Sequence, residues 1–360
     1  MTTLISISPQ ASSGADDAGL EAHRVHAVPV LVISPHNQCD CRCVMCDIWK
    51  VRDAVQLSVA DLARQIDSFR DLGVRWVVFT GGEPQKNSSF PTLAKMLRTE
   101  GIRTTLLTAG LLLDSQAELV ASAVDDVIVS LDGPPPLHDR IRRVPGAFER
   151  LNQGVRELRR FRPDIVVRGR CTVQRQNHAS LRATVVTARE AGLNSISLLA
   201  ADVSSSAFNR PAGWSRERQE RVALDAAEVE VLEEETRHLI CEHAEDLESG
   251  FIVESAAKLR RIVLHFRACL GEVPAVAPRC NAPWVSAVVE AGGDVRPCFF
   301  HPPLGNVHEA TLGEIVNSPR ALQFRKNLDI ATNATCRQCV CSLHVQDPKA
   351  FSGKALSGPR

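Results

Sequence analysis

Four cysteines lie within eight residues of one another near the start of the chain, at Cys39, Cys41, Cys43 and Cys46. Cys39, Cys43 and Cys46 have the spacing C-x3-C-x2-C. Three thiolates on one short loop can hold three corners of an iron–sulfur cube and leave the fourth iron without a protein ligand. An open metal position can bind a substrate or cofactor, so this spacing favours catalysis. Taken alone, the set is also compatible with a structural zinc site.

A second group of thiols lies more than 230 residues further along the chain and consists of Cys280, Cys298, Cys336, Cys339 and Cys341. A predicted hairpin would bring the first two together, and Cys336 and Cys339 form a C-x2-C pair. A hairpin that faces this pair would bring four thiolates around one metal. Zinc and an iron–sulfur cluster both suit such a closed site. Whether Cys341 replaces one member of the C-x2-C pair is left open.

Further candidates lie where predicted strands end. Gly81-Gly82-Glu83-Pro84 follows one strand, where paired glycines let the backbone approach a ligand closely. Ser130-Leu131-Asp132-Gly133 ends another strand. On a later strand, alternation places Arg168, Arg170 and Thr172 on one face, where an inward arginine can pair with a carboxylate. A simple turn and a solvated strand end are the alternatives for the first and third features.

The cysteines outside the two groups are Cys171, Cys241 and Cys269. Any of them could donate a hydrogen atom, but a buried structural cysteine is the favoured interpretation. Cys171 and Arg170 are the only candidates that the sequence offers for a direct catalytic role.

Short β-branched runs alternate with amphipathic stretches between residues 28 and 201. The predicted strands are Val28–Ile33, Val74–Phe79, Ile102–Leu107, Val127–Leu131, Ile165–Val173 and Ser195–Leu199. The predicted helices between them are 58–72, 91–99, 114–123, 147–161 and 179–191. Repeated strand–helix units imply parallel strands with right-handed crossovers. The fold class is therefore α/β, a partial (β/α)6 TIM-like barrel, and the motifs above lie at strand C-terminal ends, where barrel active sites are built.

The rest of the chain divides into shorter regions. We expect a disordered tail over 1–25, the barrel core over 26–205, a helical region over 206–273, and a small α+β auxiliary iron–sulfur domain over 274–345. A second tail would follow at 346–360. Within the auxiliary domain, Trp284–Val289 and Val295–Phe300 flank Gly292-Gly293 as a hairpin.

Composition excludes several classes of function. Lys plus Arg and Asp plus Glu both number 42, so no global field recruits nucleic acid or an anionic membrane. No apolar run approaches the roughly 20 residues that span a bilayer. The start lacks the basic and apolar regions of a secretory signal, so we expect a cytoplasmic protein. In a reducing compartment, tight cysteine clusters more often bind metal than form disulfides.

The segment from Cys39 to Cys46, together with Gly81-Gly82-Glu83-Pro84 and Ser130-Leu131-Asp132-Gly133, resembles the radical S-adenosylmethionine (SAM) superfamily. The C-terminal cysteines resemble the auxiliary-cluster extension called twitch, a shortened form of SPASM. The resemblance covers roughly residues 28 to 345. It implies a [4Fe–4S] cluster on Cys39, Cys43 and Cys46, a bound SAM, and a second [4Fe–4S] cluster on Cys280, Cys298, Cys336 and Cys339.

The resemblance also implies roles for individual residues. Gly81, Gly82 and Glu83 match the motif that contacts the SAM amino group. Ser130 and Asp132 match positions near the SAM ribose and carboxylate, and Arg142 is a further cofactor-binding candidate. The family's usual Asn after the third strand is replaced here by Thr108-Ala109-Gly110.

The implied activity is reductive cleavage of SAM to a 5′-deoxyadenosyl radical, which abstracts hydrogen from a substrate. We expect a small polar metabolite of the sugar, cyclitol or nucleoside type, with the auxiliary cluster relaying an electron. The expected partner is a low-potential electron donor such as flavodoxin or ferredoxin. A maturase of a ribosomally made peptide ranks second, because only about 38 residues precede the cluster motif, too few for a leader-binding domain. A non-enzymatic zinc or iron–sulfur scaffold is the remote alternative.

Overall fold

The computed structural model of the protein describes residues 20–351. The tails predicted over 1–25 and 346–360 therefore lie mostly outside the described residues. Of the helices formed by residues 20–351, none combines the length and the apolar character that crossing a bilayer requires.

A single nine-stranded sheet organises the molecule, in the order β6-β5-β4-β3-β2-β1-β7-β8-β9. Its strands are β1 (Val30–Ile33), β2 (Trp76–Phe79), β3 (Arg103–Thr108), β4 (Asp126–Ser130), β5 (Val166–Val173), β6 (Ser195–Ala200), β7 (Ser286–Val289), β8 (Asp294–Arg296) and β9 (Gly305–Asn306). Strands β1 to β6 are parallel and follow chain order. The predicted α/β fold with six parallel barrel strands is thus confirmed.

Helices connect these strands and cover one face of the sheet. Those in the first half are α1 (Val59–Ala63), α2 (Ile66–Asp71), α3 (Phe90–Thr99), α4 (Ala117–Ala123), α5 (Pro135–Arg142), α6 (Ala147–Phe161) and α7 (Leu181–Glu190). Those in the second half are α8 (Arg216–Glu220), α9 (Ala226–Glu242), α10 (Ala244–Glu248), α11 (Ala256–Leu270), α12 (Ala282–Val285), α13 (Leu312–Val316), α14 (Pro319–Asn327) and α15 (Ala334–Arg337).

The predicted helix from Ser58 to Leu72 is wrong in one respect, because it is interrupted between α1 and α2. Ser58 caps α1 as expected, in a capping box with Asp61. The N–H of Gln65 bonds to the carbonyl of Leu62, three residues back, which tightens the turn. The buried Gln65 side chain then accepts a 2.7 Å hydrogen bond from the N–H of Leu312. The helix is therefore interrupted at a residue whose side chain contacts a segment almost 250 residues further along the chain.

The two faces of the barrel sheet differ in chemistry. Val127, Val129 and Leu131 of β4 belong to the main apolar core that the sheet shares with the helices. The alternate residues Asp126 and Ser130 point to the opposite face, which we call the inner face. At the start of β4, the buried carboxylate of Asp126 binds two partly exposed arginines, Arg103 on β3 and Arg168 on β5, which links three neighbouring strands on the inner face.

The C-terminal region joins the same sheet. Strand β7 pairs in parallel with β1, with Val30 opposite Ser286 and Ile33 opposite Val289. The predicted hairpin is present as antiparallel β7 and β8, and β9 adds to β8. Gly293 has φ 87° in the turn, and a Cβ there would lie 2.5 Å from Oδ1 of Asn306, so the turn requires glycine. The boundary at residue 274 stays a prediction.

Candidate functional site

The loop that carries the first cysteines follows β1 and is held by the end of α5. The N–H groups of Arg42 and Val44 donate to the carbonyls of Arg142 and Ile141, at 3.0 and 3.1 Å. The thiols of Cys39, Cys41, Cys43 and Cys46 belong to one small apolar cluster with Ala109, Leu111 and Ala147. The loop therefore presents its thiols together at the carboxyl ends of the strands.

The four thiols differ in their surroundings. Cys41 and Cys43 are buried, whereas Cys39 and Cys46 are partly exposed. Hydrogen bonds with Cys39 and Cys43, together with burial, raise the pKa of Cys41. The hydrogen bond from Cys41 lowers the pKa of Cys43 to about 7, and the charge of Arg142 acts in the same direction. Cys43 is thus the thiol best stabilised as a thiolate, which is the form that binds metal.

The glycines of the Gly81-Gly82 motif pack against the cysteine loop. A Cβ on Gly81 would lie 2.4 Å from Cβ of Ser34, and one on Gly82 would lie 2.2 Å from the carbonyl oxygen of Gln38. The N–H of Gly82 donates to the carbonyl of His36 at 3.1 Å. The sequence predicted that these glycines let the backbone approach a ligand. In the structure they also let it pack against residues 34–38, and this packing alone requires glycine at both positions.

Glu83 is buried at the end of β2, with 2% of its surface exposed. Its carboxylate accepts 2.9 Å hydrogen bonds from Oγ1 of Thr108 and from the N–H of Ala109. The segment that replaces the family's usual Asn therefore positions Glu83. Burial raises the pKa of Glu83 to about 7, and no cationic side chain within residues 20–351 pairs with it. A ligand ammonium group at this carboxylate would supply the missing charge.

Asp132 and Arg142 form a buried ion pair, with 2.6 Å between Oδ2 and Nη2. Oδ1 of Asp132 also accepts a 2.9 Å hydrogen bond from the N–H of Thr172. Nη1 of Arg142 lies 3.6 Å from Sγ of Cys43. Asp132 therefore acts on the cysteine loop through Arg142, an interaction that the sequence motif alone did not indicate. Ser130, two residues before Asp132 at the end of β4, is buried on the inner face.

A second anchor for the cysteine loop comes from residues 202–215, a segment between β6 and α8 that forms neither helix nor strand. Nη2 of Arg210 donates to the carbonyl of Met45 at 2.5 Å, and Nη1 binds the carboxylate of Asp202 at 3.0 Å. The guanidinium lies 3.6 Å from the ring centroid of Trp214. The cation is thus enclosed by a carbonyl, a carboxylate and an aromatic face. Arg210 and Trp214 are spaced by four residues, which is the only sequence signal for this arrangement.

The C-terminal thiols also gather in one region. Burial raises the pKa of Cys298 to about 12, and the charges of Cys280 and Cys336 act in the same direction. The pKa of Cys339 is raised by burial and by Cys341, Cys298 and Cys280. These four predicted ligands therefore lie within electrostatic range of one another. Arg261 of α11 supports the closing loop by donating to the carbonyl of Cys339 at 3.1 Å.

Arg170 and Cys171 lie on opposite faces of β5. Cys171 is fully buried in the main apolar core, so this placement contradicts a hydrogen-donor role at the inner face and agrees with a structural cysteine. Arg170 lies on the inner face, and its charge reaches the thiol of Cys341. Sγ of Cys339 lies 2.8 Å from the carbonyl oxygen of Cys341. The ligand roles of Cys336, Cys339 and Cys341 stay predictions.

The described side chains fit the implied groups in two respects. The first loop gathers three or more thiols in an apolar pocket beside a buried arginine, which suits an anionic iron–sulfur cluster. Glu83 offers an unpaired buried carboxylate to an ammonium group. Within residues 20–351, no three Cys, His, Asp or Glu side chains are grouped closely enough to hold one metal ion.

Comparisons with known proteins identify the chain's family. The model of the radical SAM superfamily matches residues 33–187, and the model of the SPASM iron-sulfur cluster-binding domain matches residues 280–340. The chain is 30% identical over 153 residues to Fe-coproporphyrin III synthase of Methanosarcina barkeri, a match that covers 41% of this chain and 38% of that enzyme. It is 35% identical over 133 residues to GTP 3′,8-cyclase of Chlorobaculum tepidum, which covers 33% and 39% respectively.

The chain thus spans well under half the length of these curated relatives. The solved structure of Streptococcus suis SuiB bound to its precursor peptide SuiA is similar over 98% of this chain and 83% of SuiB, with a TM-score of 0.62 and 16% identity. At this identity the likeness shows a shared fold. The radical SAM domain implies SAM and a [4Fe–4S] cluster, and the SPASM domain implies auxiliary iron–sulfur chemistry. The chain therefore belongs to the radical SAM superfamily, as an enzyme with a C-terminal SPASM domain.

Proposed function

We propose that this enzyme cleaves SAM reductively at a [4Fe–4S] cluster held by Cys39, Cys43 and Cys46, and then removes a hydrogen atom from a small polar metabolite. The observation that carries the proposal is the buried contact from Cys43 through Arg142 to Asp132. It joins the cysteine loop to the strand ends, where barrel enzymes place their reacting groups.

When bound, the cluster and SAM would supply the difficult chemistry, which is one-electron cleavage of a C–S bond of SAM coupled to hydrogen removal from the substrate. The chain's own contribution is positioning. Glu83 would accept the SAM ammonium group at its buried carboxylate. Gly81 and Gly82 fix the distance between their own loop and the cysteine loop. Ser130 would contact polar groups of SAM, while Asp132 holds Arg142 in place.

Two relatives support a small-molecule substrate, because they are named as a synthase of Fe-coproporphyrin III and as a GTP cyclase. The fold is also that of SuiB, which was solved with a precursor peptide. At 16% identity this likeness carries the fold alone, so a peptide maturase stays the second candidate. The contacts of the inner face, rather than the fold, must distinguish the two classes of substrate.

The auxiliary cluster would be held by Cys280, Cys298, Cys336 and Cys339. We propose that a cluster held there would supply an electron acceptor for oxidation of the substrate, and that the protein's electron donor is a low-potential flavodoxin or ferredoxin. Such donors work in a reducing compartment, and none of the twelve cysteines forms a disulfide, which supports a cytoplasmic enzyme.

The test is reductant-dependent release of 5′-deoxyadenosine by anaerobically reconstituted protein. We expect Cys46→Ala to abolish it and Cys241→Ala to leave it unchanged, because Cys241 is exposed and lies far along the chain on α9. If the Cys46→Ala variant released 5′-deoxyadenosine as the parent protein does, the assignment of Cys46 as a cluster ligand would be contradicted. Metabolites and short peptides added in parallel would then show which class increases the release.

A further inference from the structure

The inner face of the barrel carries one arginine, Arg170, that forms no ion pair with any described residue. Arg168 binds Asp126 at 3.0 Å, and Asp126 also pairs with Arg103 on the neighbouring strand. Arg170, two residues further along β5, forms no hydrogen bond or ion pair through its guanidinium within residues 20–351. Its Nε atom is buried without a partner. A buried, unpartnered guanidinium donor costs free energy, so a ligand is expected there.

The strand register fixes where this cation lies. Arg170 is opposite Ser130 on β4 and opposite Ser197 on β6. Neighbours in a parallel sheet point to the same face, so these three side chains form one level of the inner face. Ser130 belongs to the proposed SAM site, and the charge of Arg170 also reaches Cys341 of the auxiliary group. Arg170 therefore lies between the two proposed cofactor sites.

Glu254 is the described carboxylate that could pair with Arg170 in place of a ligand. Its charge interacts with that of Arg170. However, the Glu254 carboxylate accepts hydrogen bonds from Oγ of Ser197 at 2.9 Å and from the N–H of Leu198 at 2.8 Å. These bonds hold Glu254 at the edge of β6, out of ion-pair distance from Arg170. The guanidinium consequently keeps its donors for a molecule that enters the barrel.

We propose that Arg170 binds a carboxylate group of the substrate and so orients the substrate between SAM and the auxiliary cluster. A guanidinium binds a carboxylate through two parallel hydrogen bonds, which fixes direction as well as position. Such fixing is what selective hydrogen abstraction from one carbon requires. The inference rests on the proposed function, because it takes this level of the barrel to be the substrate site. It narrows the substrate to a carboxylate-bearing metabolite.

SAM carries a carboxylate too, so the experiment must separate the two sources. Phenylglyoxal labelling of the anaerobic holoenzyme, mapped by mass spectrometry, gives the modification rate of each arginine. Arg168 is the matched control, since it lies on the same strand and face but is paired. We expect Arg170 to react at least about fivefold faster than Arg168, and millimolar succinate to slow it at least about fivefold. Decarboxylated SAM should change the rate of phenylglyoxal modification of Arg170 as much as SAM does.

Equal rates at the two arginines, or no protection by succinate, would overturn the proposal. So would protection by SAM that decarboxylated SAM fails to reproduce, since Arg170 would then serve the cofactor. In Arg170→Gln holoenzyme, SAM should still alter the paramagnetic signal of the reduced cluster, and loss of that response would likewise assign Arg170 to SAM. The labelling needs no turnover, so it can fail independently of the proposed SAM cleavage.

Discussion

The indole nitrogen of Trp214 donates a 2.7 Å hydrogen bond to Oδ2 of Asp47, the residue that directly follows Cys46. Asp47 also pairs with Lys50 at 3.0 Å, and its N–H donates to the carbonyl of Phe208 at 3.3 Å. The segment after β6 thus fastens the far end of the cysteine loop, while α5 fastens its middle. The geometry of the first cluster site depends on both attachments.

Trp214→Phe keeps a ring beneath Arg210 but removes the donor to Asp47. Hydrogen bonds to charged groups contribute roughly 1.5–3 kcal/mol, so we expect a loss of that size in the free energy of unfolding. Urea titration of the anaerobic holoenzyme measures it. Trp284→Phe is the matched control, because the indole N–H of Trp284 makes no hydrogen bond within the described residues. Equal losses in both variants would show that ring size, rather than the bond to Asp47, matters.

SAM affinity should depend on pH through Glu83. Burial raises the pKa of Glu83 to about 7 in the SAM-free protein, so below that pH most of the carboxyl group is protonated and cannot pair with the SAM ammonium. Affinity should therefore rise about fivefold from pH 6 to pH 7, reach about tenfold by pH 8, and then level off. Because SAM favours the ionised form, its binding lowers the pKa of Glu83 and releases a proton.

Glu83→Gln removes the titrating group, and its SAM dissociation constant should be higher at every pH and no longer vary across this interval. Spectroscopic titrations of the cluster with SAM provide the constants. Glu254→Gln is the comparison, since Glu254 is also buried with a raised pKa but lies at the edge of β6. If Glu254→Gln removed the pH dependence and Glu83→Gln did not, the assignment of Glu83 would be wrong.

Gly82→Ala should loosen the first cluster site. The new Cβ would lie 2.2 Å from the carbonyl oxygen of Gln38, which immediately precedes Cys39, so the backbone must move. Overpacking of this kind costs about 1–3 kcal/mol, and we expect a lower iron content as well. Gly292→Ala offers a control, because a Cβ there meets no atom within 4 Å. Iron and sulfide analysis that finds both variants fully loaded would refute this account of the glycine pair.

The closing ligands of the auxiliary cluster can be told apart by iron counting. Cys339→Ser should lose roughly half of the bound iron, from about eight to about four atoms per chain, if each site holds one [4Fe–4S] cluster. Cys341→Ser should keep both clusters. The opposite pattern would make Cys341 the ligand and Cys339 the spare thiol. Either result fixes the ligand set, which spacing alone left open.

Local patterns were sufficient to predict the barrel strands. The run before the cysteine loop and the run Val74–Phe79 are short and apolar, and both form strands that end where predicted but begin two residues later. Ser58 was predicted as a helix cap because capping depends on residues three apart in sequence. Such features are decided by neighbours along the chain, which is why sequence alone indicates them.

Contacts between segments distant in sequence could not be predicted in this way. Nothing in the spacing of Arg210 and Trp214 identifies Met45 and Asp47, more than 160 residues earlier, as their partners. The pairing of β7 with β1 was also not predicted, because both are short apolar runs that would suit several positions in a sheet. For the same reason, the role of Gly82 was only partly recognised, since its neighbour Gln38 is brought close by the fold.

The parallel pairing of β7 with β1 has a mechanical consequence. Strand β1 leads directly into the first cysteine loop, and β7 follows directly on the helix that begins two residues after Cys280. The separation of the two proposed metal centres is therefore set by adjoining strands of one sheet instead of by a flexible connection. Heating should disrupt both centres in a single cooperative event, and cutting the chain before Cys280 would leave β1 as an uncovered edge prone to self-association.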